Sequence, residues 1–463
     1  MKPLNKLLLI IACLCSASAT HAAKSSPKNI ILILIDDLGW MDLGCQGSDY
    51  YQTPNIDKLA EQGTRFTQAY AACNVCSPTR AAMLTGKSPS RLLLTQWLPA
   101  GRWDINKNAK REGRFIRELP LEEVTLAEIL RGHGYETGFI GKWHLGGAPF
   151  YLPEHQGFGY NLAGADHGAP GHYFHPFKGR WQIPTTKLFA EKQTLTIGKE
   201  GDYLPDLLSQ AAVDYIEAKA DKPFFLMLSH YAVHTPLQAK PKMVNRYEAI
   251  PKNRRQGNPK YAAMVESVDQ SVGRVMKALQ KRNLTDNTII VFTSDNGGFA
   301  KATKNTPLRA NKGSNYEGGI RVPMIIVDPS LPKGQTSDAL AISHDVPPTL
   351  LDLAGLPPEP RQHLDGISLA PALRGASPKK RSLHWHYPHY NRHPSSFPSG
   401  VIRSGDWKLI ENYETGEHEL YNLSNDLGES TNLASDRPEI TARLEKSLNA
   451  WKSKVGADPM KEK

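Results

Sequence analysis

The sequence predicts an α/β fold in which a large, mostly parallel central sheet is flanked by helices, with a small α+β subdomain after it. Short runs of β-branched and leucine residues, typical of strands buried on both faces, alternate with amphipathic segments along most of the chain. Such alternation is what a parallel sheet with crossover helices produces. It stops after Arg374, where short alternating patterns predict an antiparallel sheet.

The strands and helices of the first part follow from these patterns. Residues 29–35 form a continuous β-branched and leucine run that predicts a buried strand, and further strands are predicted at residues 136–142, 223–228, 288–293 and 322–327. Helices are predicted where apolar residues recur at helical spacing, at residues 53–62, 125–131, 203–218, 261–284 and 346–354. Residues 147–200 are rich in Gly, Pro, His and aromatic side chains, and they are predicted to be long loops.

The second part begins with a predicted linker at residues 375–380. Strands are predicted at residues 399–403, 407–410 and 419–423, and a last helix at residues 439–452. The predicted division of the chain is a signal peptide at 1–22, a main domain at 23–374 and a C-terminal subdomain at 375–463.

The composition is that of a globular protein with a basic surface. Of the 463 residues, 40% are hydrophobic and 22% are charged, and the formal net charge is +10. This charge suits an acidic substrate, although a scattered surface excess of Lys and Arg would give the same value. The sequence has no long Lys/Arg run and no basic segment interleaved with aromatic residues, so nucleic acid is not a predicted partner.

The N-terminus has the pattern of a secretory signal. Lys2 and Lys6 form a basic region before an apolar stretch, residues 7–14, which is too short to span a bilayer. Small residues then allow cleavage before Ala23. A secreted or periplasmic protein is therefore predicted, and the alternative is a lipoprotein anchored at Cys13. No other stretch is apolar enough to predict a transmembrane segment.

Three cysteines remain after this cleavage. Cys45, Cys73 and Cys76 are too few for a disulfide framework. Cys45 and Cys73 can pair in an oxidising compartment or remain as small buried residues. Cys73 and Cys76 also have the spacing of a redox pair, which is one alternative for the function of this stretch.

Two predicted strands end in side-chain oxygen atoms. Asp36 and Asp37 follow the first strand, and Asp295 and Asn296 follow the strand at 288–293. Because sites in open α/β sheets form beyond the carboxyl ends of strands, we expect the two pairs to meet. Three carboxylates and an amide oxygen suit a hard divalent cation. The alternative is that each pair only terminates its strand in a turn.

The run AACNVCSPTRAAMLTG at residues 71–86 predicts an anion site with a cysteine at its mouth. Pro78 is suited to the first position of a helix, where its missing N–H costs nothing. Arg80 follows Cys76 by four residues, so both side chains face the same side of that helix. The helix N-terminus and the guanidinium group together favour an anion.

Other candidate side chains follow strands or lie in loops. Lys142 and His144 are two apart at a strand end, so they can act on one anionic group and move a proton. His230 and His234 both follow the strand at 223–228, and the pattern alone does not choose between them.

Four stretches together resemble the motifs of the type I sulfatases, a formylglycine-dependent, arylsulfatase-like family of the alkaline phosphatase superfamily. They are CSPTR at 76–80, GKWHLG at 141–146, YAVHTPL at 231–237 and NKGSNYEGGIRVP at 311–323. Thr79 stands where serine is commoner and Arg80 follows it directly, but the hydroxyl is kept. The resemblance extends over residues 36–423 and implies an alkaline-phosphatase-like sandwich with a catalytic domain at 23–374.

The resemblance also implies roles for these residues. A sulfatase-maturation enzyme converts Cys76 into formylglycine, whose hydrate is the nucleophile in this family. The implied ligands of one divalent cation, usually Ca²⁺, are Asp36, Asp37, Cys76, Asp295 and Asn296. The implied catalytic residues are Cys76, Arg80, Lys142, His144, His234 and Lys312. Within this set, Lys312 binds the sulfate, His144 acts during sulfate release, and His234 or a neighbouring lysine protonates the leaving oxygen.

Three polar and aromatic runs are candidates for contacts with the rest of the substrate, at residues 164–168, 172–175 and 384–393. Such side chains suit a carbohydrate, and the alternative is that they only pack the loops. The resemblance, together with the predicted signal peptide, implies desulfation of a sulfated carbohydrate, and exo action is the favoured interpretation. An algal polysaccharide or a glycosaminoglycan oligosaccharide is expected, with a galactose-type sugar as the first choice.

Three rival functions are distinguishable. A phosphomonoester, phosphodiester or phosphonate hydrolase of the same superfamily can share these motifs. A phosphatase with zinc would need more His ligands near the Asp pairs than the sequence offers. A carbohydrate-binding protein without catalysis would be expected to have lost at least one motif, and a redox protein would give Asp36, Asp295 and Lys312 no role.

Overall fold

The computed structural model describes residues 27–98, 109–177 and 198–463. The predicted signal peptide, with Cys13, lies outside these residues. The strands are β1 (Asn29–Ile35), β2 (Thr64–Phe66), β3 (Ala69–Tyr70), β4 (Glu136–Gly141), β5 (Tyr160–Leu162), β6 (Phe224–Ser229), β7 (Thr288–Ser294), β8 (Met324–Val327), β9 (Gln335–Ser337), β10 (Ala341–Ile342), β11 (Ser382–Tyr387), β12 (Ser399–Ser404), β13 (Trp407–Asn412) and β14 (His418–Asn422).

The α-helices lie between and after these strands. They are α1 (Pro54–Gln62), α2 (Cys76–Thr85), α3 (Pro89–Leu92), α4 (Leu126–Gly132), α5 (Leu204–Lys219), α6 (Pro241–Glu248), α7 (Pro259–Lys281), α8 (Glu317–Ile320), α9 (Val346–Leu353), α10 (Ala370–Leu373) and α11 (Pro438–Val455).

The main sheet has the strand order β5-β4-β6-β1-β7-β8-β2-β9. The first five strands are parallel, β8 is antiparallel to both of its neighbours, and β9 is parallel to β2. The α/β fold with a mostly parallel sheet is therefore confirmed. Strands β1, β6 and β7 are buried along their whole length, because helices cover both faces of the sheet.

The register of the central strands brings their carboxyl ends to one edge. Ile35 of β1 pairs with Ser294 of β7, and Gly141 of β4 pairs with Ser229 of β6. The polar residues that follow these four strands therefore start from neighbouring positions, as expected for a site at the end of a parallel sheet.

Most predicted helices form within two or three residues of their expected ends. Thr125 caps α4 through a capping box with Glu128, as the pattern before an apolar run predicts. The prediction that Pro78 opens its helix is wrong, because α2 begins at Cys76 and Pro78 is its third residue. The third position also lacks an intrahelical N–H bond, so proline is tolerated there.

The strands that the sequence reasoning missed are short or unusual in composition. Strands β2, β5 and β9 have three residues each, too few to show a period. Strand β5 lies within residues 147–200, which were expected to be long loops with at most a small hairpin. Strand β11 contains the letters SLHWHY and was missed because residues 384–393 were interpreted as candidates for substrate contacts.

The C-terminal part is a four-stranded antiparallel sheet in the order β11-β12-β13-β14, packed against α11, which confirms the predicted α+β subdomain. Leu444 and Leu448 of α11 belong to one apolar cluster with Ile402, Leu409 and Leu420. The boundary at residues 374 and 375 stays a prediction. None of the described helices has the length and apolar character that crossing a bilayer requires.

Candidate active site

The two polar pairs meet at the carboxyl edge of the sheet. The backbone N–H of Asp295 donates to the Ile35 carbonyl (3.1 Å), and that of Asp37 donates to Asp295 Oδ1 (3.2 Å). Asn296 Nδ2 donates to Asp37 Oδ1 (2.8 Å). Asp36 and Asp295 are fully buried, so three carboxyl groups share a space from which water is excluded.

These side chains fit a hard divalent cation. Within the described part of the chain, Asp36 Oδ1 and Asn296 Oδ1 are buried oxygens without a hydrogen-bond partner. One ligand atom each from Asp36, Cys76 and Asp295 lies within 4.8 Å of the others. Burial raises the pKa of Asp36 to about 8, against the opposing effect of Lys142, and a cation would remove that cost. An oxygen-rich set of this kind is typical of Ca²⁺ or Mg²⁺.

Cys76 is the first residue of α2 and lies beside this cluster. The Thr79 hydroxyl accepts from the Cys73 N–H (3.0 Å) and donates to the Cys73 carbonyl (3.1 Å), which fixes the turn that delivers Cys76. Burial raises the pKa of the Cys76 thiol to about 11, although Lys142 and Lys312 oppose the change. An unmodified Cys76 is therefore a neutral thiol, and a poor nucleophile, at neutral pH. Cys45, Cys73 and Cys76 are all free, with no disulfide between them.

Arg80 lies on the same side of α2 as Cys76 but contacts protein groups. Its Nε and Nη2 donate to Asp295 Oδ2 (2.9 and 2.7 Å), and its Nη1 donates to Ser229 Oγ and to the Lys142 carbonyl (both 2.7 Å). The guanidinium group is fully buried and does not line the cavity described below. Its contacts hold Asp295 and the end of β4 in place.

The end of β4 turns sharply to place Lys142. Gly141 has φ +109° and its Cα approaches the Ser229 carbonyl so closely that a Cβ would lie 1.8 Å from the oxygen, so only glycine fits there. Lys142 Nζ donates to Asp36 Oδ2 (2.7 Å), and neither side chain is exposed. Two residues later, His144 lines the cavity, whereas Lys142 is not among the described residues that line it.

His144 has an assignable tautomer. Its Nε2 is hydrogen-bonded to the Leu98 carbonyl, which can only accept, so Nε2 carries the proton and Nδ1 keeps a lone pair. Nδ1 is buried without a hydrogen-bond partner among the described residues. Burial, and then Lys142, hold the pKa of His144 well below its usual range.

The structure separates the two histidines after β6. His230 is fully buried and its Nε2 pairs with Ser271 of α7 (2.8 Å), so it is a core residue. His234 lines the cavity, with Nδ1 against the Thr235 carbonyl (2.7 Å) and Nε2 3.7 Å from Asp37 Oδ2. Tyr173 donates to the His234 carbonyl (2.9 Å) and helps to hold this loop.

Lys312 reaches the centre of the site from a loop 236 residues away from Cys76 in the sequence. Its Nζ lies 2.6 Å from Asp37 Oδ1 and 3.5 Å from Cys76 Sγ. Burial opposes the charge of Lys312, but Asp37 and Cys76 raise its pKa above the usual value. The next residue, Gly313, is tied to the loop before Cys76, since its N–H donates to the Asn74 carbonyl (2.8 Å).

These side chains surround a cavity of about 280 Å³. Five predicted site residues line it: Asp37, Cys76, His144, His234 and Lys312. Sequence reasoning did not single out the other lining residues Trp97, Leu98, Ala169, Thr235 and Phe299. Phe299 follows the Asp295-Asn296-Gly-Gly turn directly, and this position was the one signal that could have found it.

The three aromatic runs divide between packing and the cavity. Trp385 and Tyr387 are buried in β11, where the Trp385 indole donates to the Ala71 carbonyl (2.8 Å), so the expectation that this whole run faces a substrate is wrong for them. Tyr173 is also buried. Gly168, from the first run, and His393, from the last, line the cavity.

Comparison with known proteins identifies the family. A family model described as Sulfatase matches residues 28–356, and one described as N-sulphoglucosamine sulphohydrolase, C-terminal, matches residues 310–454. The chain belongs to the sulfatase family. This sulfatase is a sulfuric ester hydrolase with the fold of the alkaline phosphatase superfamily. Membership implies a metal ion and a formylglycine residue, and the acidic cluster is the candidate for the metal.

Individual relatives align with nearly the whole chain. A sulfatase of Formosa agariphila is 34% identical and covers 99% of this chain and 95% of its own length. The N-acetylgalactosamine-6-sulfatase of Canis lupus familiaris is 31% identical over 82% of this chain and 72% of its own. The crystal structure of Ps i-CgsB in complex with k-i-k-neocarrahexaose is 34% identical, with a TM-score of 0.77 over 92% of this sulfatase and 93% of that chain.

Proposed function

We propose that this sulfatase removes sulfate from a sulfated carbohydrate by exo action, with a galactose-type sugar as the first candidate, through a formylglycine made from Cys76. The observation that carries the proposal is the small cavity in which Lys312, His234 and His144 surround residue 76 above buried carboxylates. A cavity of about 280 Å³ suits one sulfated sugar better than the middle of a polymer. One relative is named N-acetylgalactosamine-6-sulfatase, and one similar crystal structure is a complex with k-i-k-neocarrahexaose. Both support a sugar substrate.

The metal in this proposal is Ca²⁺, held by Asp36, Asp37, Asp295, Asn296 and residue 76. When bound, the cation and the hydrated formylglycine supply charge neutralisation and an oxygen nucleophile. The catalytic domain is residues 23–374 and the C-terminal subdomain 375–463. The remaining partners are a sulfatase-maturation enzyme acting on Cys76 and a signal peptidase cleaving before Ala23, which makes the protein secreted or periplasmic.

The cationic side chains divide into one that meets the substrate and two that shape the site. Lys312 lines the cavity, and its ammonium group stabilises the anionic sulfate and the charge that grows on the leaving oxygen. Lys142 forms an ion pair with Asp36, and Arg80 forms one with Asp295. Their proposed catalytic contribution is therefore to hold these carboxylates in place. Their charges still act on the sulfate through the low-dielectric interior.

Two histidines handle protons at defined atoms. His144 has a lone pair on buried Nδ1, so this atom takes up a proton when sulfate is released. At His234, Nδ1 donates to the Thr235 carbonyl, which leaves Nε2 as the atom turned to Asp37. Burial and then Lys312 lower the pKa of His234, whereas Asp37 and Cys76 raise that of Lys312. The proposal therefore keeps His234 and Lys312 as the two candidate donors to the leaving oxygen.

The proposed function is tested by measuring free sulfate released from monosulfated galactose and N-acetylgalactosamine, glycosaminoglycan oligosaccharides and galactans. A phosphate monoester and a phosphonate ester serve as rival substrates. Protein co-expressed with a maturation enzyme is compared with protein made without it. We expect release from one sugar class by the matured protein only. Faster turnover of the phosphorus esters would contradict the proposal, provided that the peptide of residues 66–80 has the mass of the aldehyde.

Removing the metal should lower kcat/KM at least about 100-fold, because the proposed cation would hold the nucleophile in place and neutralise the charge that builds up on the sulfate. The measurement is sulfate release after chelation, and again after adding Ca²⁺ or Mg²⁺. Asp269→Asn is a suitable control variant, since this buried carboxylate caps α1 through Asn55 and Ile56 and does not belong to the site. Chelation should affect the control as strongly as the wild type, and full activity in chelator would rule out the metal.

A further inference from the structure

One residue of the C-terminal part reaches the active-site cavity. His393 lies between β11 and β12 and lines the cavity together with Lys312 and Phe299. Among the described residues after Arg374, no other lines it. The C-terminal part therefore contributes a side chain to the same cavity as Lys312.

Backbone packing fixes the position of His393. Asn391 Oδ1 accepts from the His393 N–H (2.9 Å), and Asn391 Nδ2 donates to the Gly313 carbonyl (3.0 Å). A Cβ on Gly313, which has φ +85°, would lie 2.5 Å from the His393 Cβ, so the imidazole sits against a position that only glycine can occupy. Gly313 follows Lys312 directly, and the His393 ring is thereby held beside the sulfate-binding lysine.

The His393 side chain has hydrogen-bonding capacity that the protein does not use. Its ring meets the Phe299 ring edge to face, with centroids 5.7 Å apart and an interplanar angle of 86°. Within the part of the chain that the structure describes, neither of its ring nitrogens has a hydrogen-bond partner. A neutral imidazole offers one donor and one acceptor, which matches a hydroxyl group.

We propose that His393 is a specificity-determining residue that hydrogen-bonds the sugar hydroxyl next to the sulfate ester. This inference rests on the proposed function. With the sulfate at Lys312, the leaving group extends past His393 and Phe299, where the phenyl ring packs against the C–H face of a pyranose and the imidazole recognises its hydroxyl. An aryl ester packs against the same ring but has no neighbouring hydroxyl, so His393 discriminates between the two classes.

The test compares kcat/KM for 4-nitrophenyl sulfate with kcat/KM for the best substrate among monosulfated galactose and N-acetylgalactosamine. For His393→Ala we expect a loss of about 10- to 100-fold on the sugar and less than about 5-fold on the aryl ester. His393→Gln, which keeps a donor and an acceptor, should recover part of the sugar activity. For wild type, kcat/KM should fall by a similar factor when the sugar sulfate is replaced by its analogue without the hydroxyl next to the ester. For His393→Ala, the same change of substrate should lower kcat/KM very little.

Equal losses on both substrates would overturn the inference, because they would show that His393 only supports the fold of the cavity. Wild type that cleaves the aryl ester and none of the sugars would also overturn it, while leaving sulfatase activity established. Wild type with the aldehyde mass at residue 76 that cleaves neither substrate would overturn the proposed function, and this inference with it.

Discussion

Replacing Cys76 by alanine should lower kcat/KM by at least about 10⁴-fold, since removing a covalent nucleophile leaves only binding and charge stabilisation. The side chain at residue 76 lines the cavity, 3.5 Å from Lys312 Nζ, and sits beside Asp36 and Asp295. Among the described residues that line the cavity, Cys76 is the one that the CSPTR motif assigns as the nucleophile. The measurement is sulfate release by matured wild type and by the variant, with Tm confirming that both are folded.

Cys73→Ala is the matched control for this experiment. Cys73 is a buried cysteine three residues before Cys76, and burial raises its thiol pKa to about 12. We expect Cys73→Ala to keep kcat/KM within about 10-fold of wild type, because Cys73 does not line the cavity and its loss only removes packing. If both single variants were folded and equally inactive, the assignment of Cys76 as the one nucleophilic cysteine would be contradicted.

Lys408→Met should destabilise the protein by about 3–5 kcal/mol, because it leaves the buried Glu429 carboxylate without its counter-charge and removes one of the cations that pair with Glu317. Lys408 lies in β13 with a fully buried side chain, 3.0 Å from Glu317 Oε1 and 2.8 Å from Glu429 Oε1. Burial already raises the pKa of Glu429 to about 7, although Lys408 lowers it. The Tyr70 hydroxyl and Arg321 reach only the other oxygen of Glu317.

Urea titrations and Tm measurements on whole-chain variants test this prediction. Lys281→Met is the control, since Lys281 pairs with Glu217 at 2.8 Å but its side chain is 70% exposed, and the expected cost is below about 1 kcal/mol. Adding Glu429→Gln to Lys408→Met should recover part of the loss, because it neutralises the carboxylate that Lys408→Met leaves unpaired. A double variant less stable than Lys408→Met alone would contradict this explanation.

The Lys408 cluster also connects stability to the active site. Glu317 starts α8 five residues after Lys312, and its N–H donates to Glu429 Oε2 (2.7 Å). Arg321 also forms an ion pair with Glu317, at 3.2 Å. The loop that carries Lys312 is therefore anchored on charged groups shared with the C-terminal sheet.

The sequence by itself determined the central strands and the chemistry that follows them. Residues 30–35 and 289–292 are unbroken apolar runs, which is typical of strands that are buried on both faces. The oxygen-bearing pairs at 36–37 and 295–296 follow the two strands that contain these runs, so their place at the end of the strands follows from local pattern. The signal at Cys76 is also local, because Cys76 and Arg80 lie about one helical turn apart.

The tertiary structure decided which of the candidates face the cavity and which face the protein. Arg80 points at Asp295 and Lys142 at Asp36, whereas Lys312 and His234 line the cavity, and none of this follows from spacing. Side-chain direction depends on contacts between residues hundreds of positions apart. For the same reason, local pattern could not show that His393 comes to lie against Gly313 while Trp385 and Tyr387 of the same run are buried.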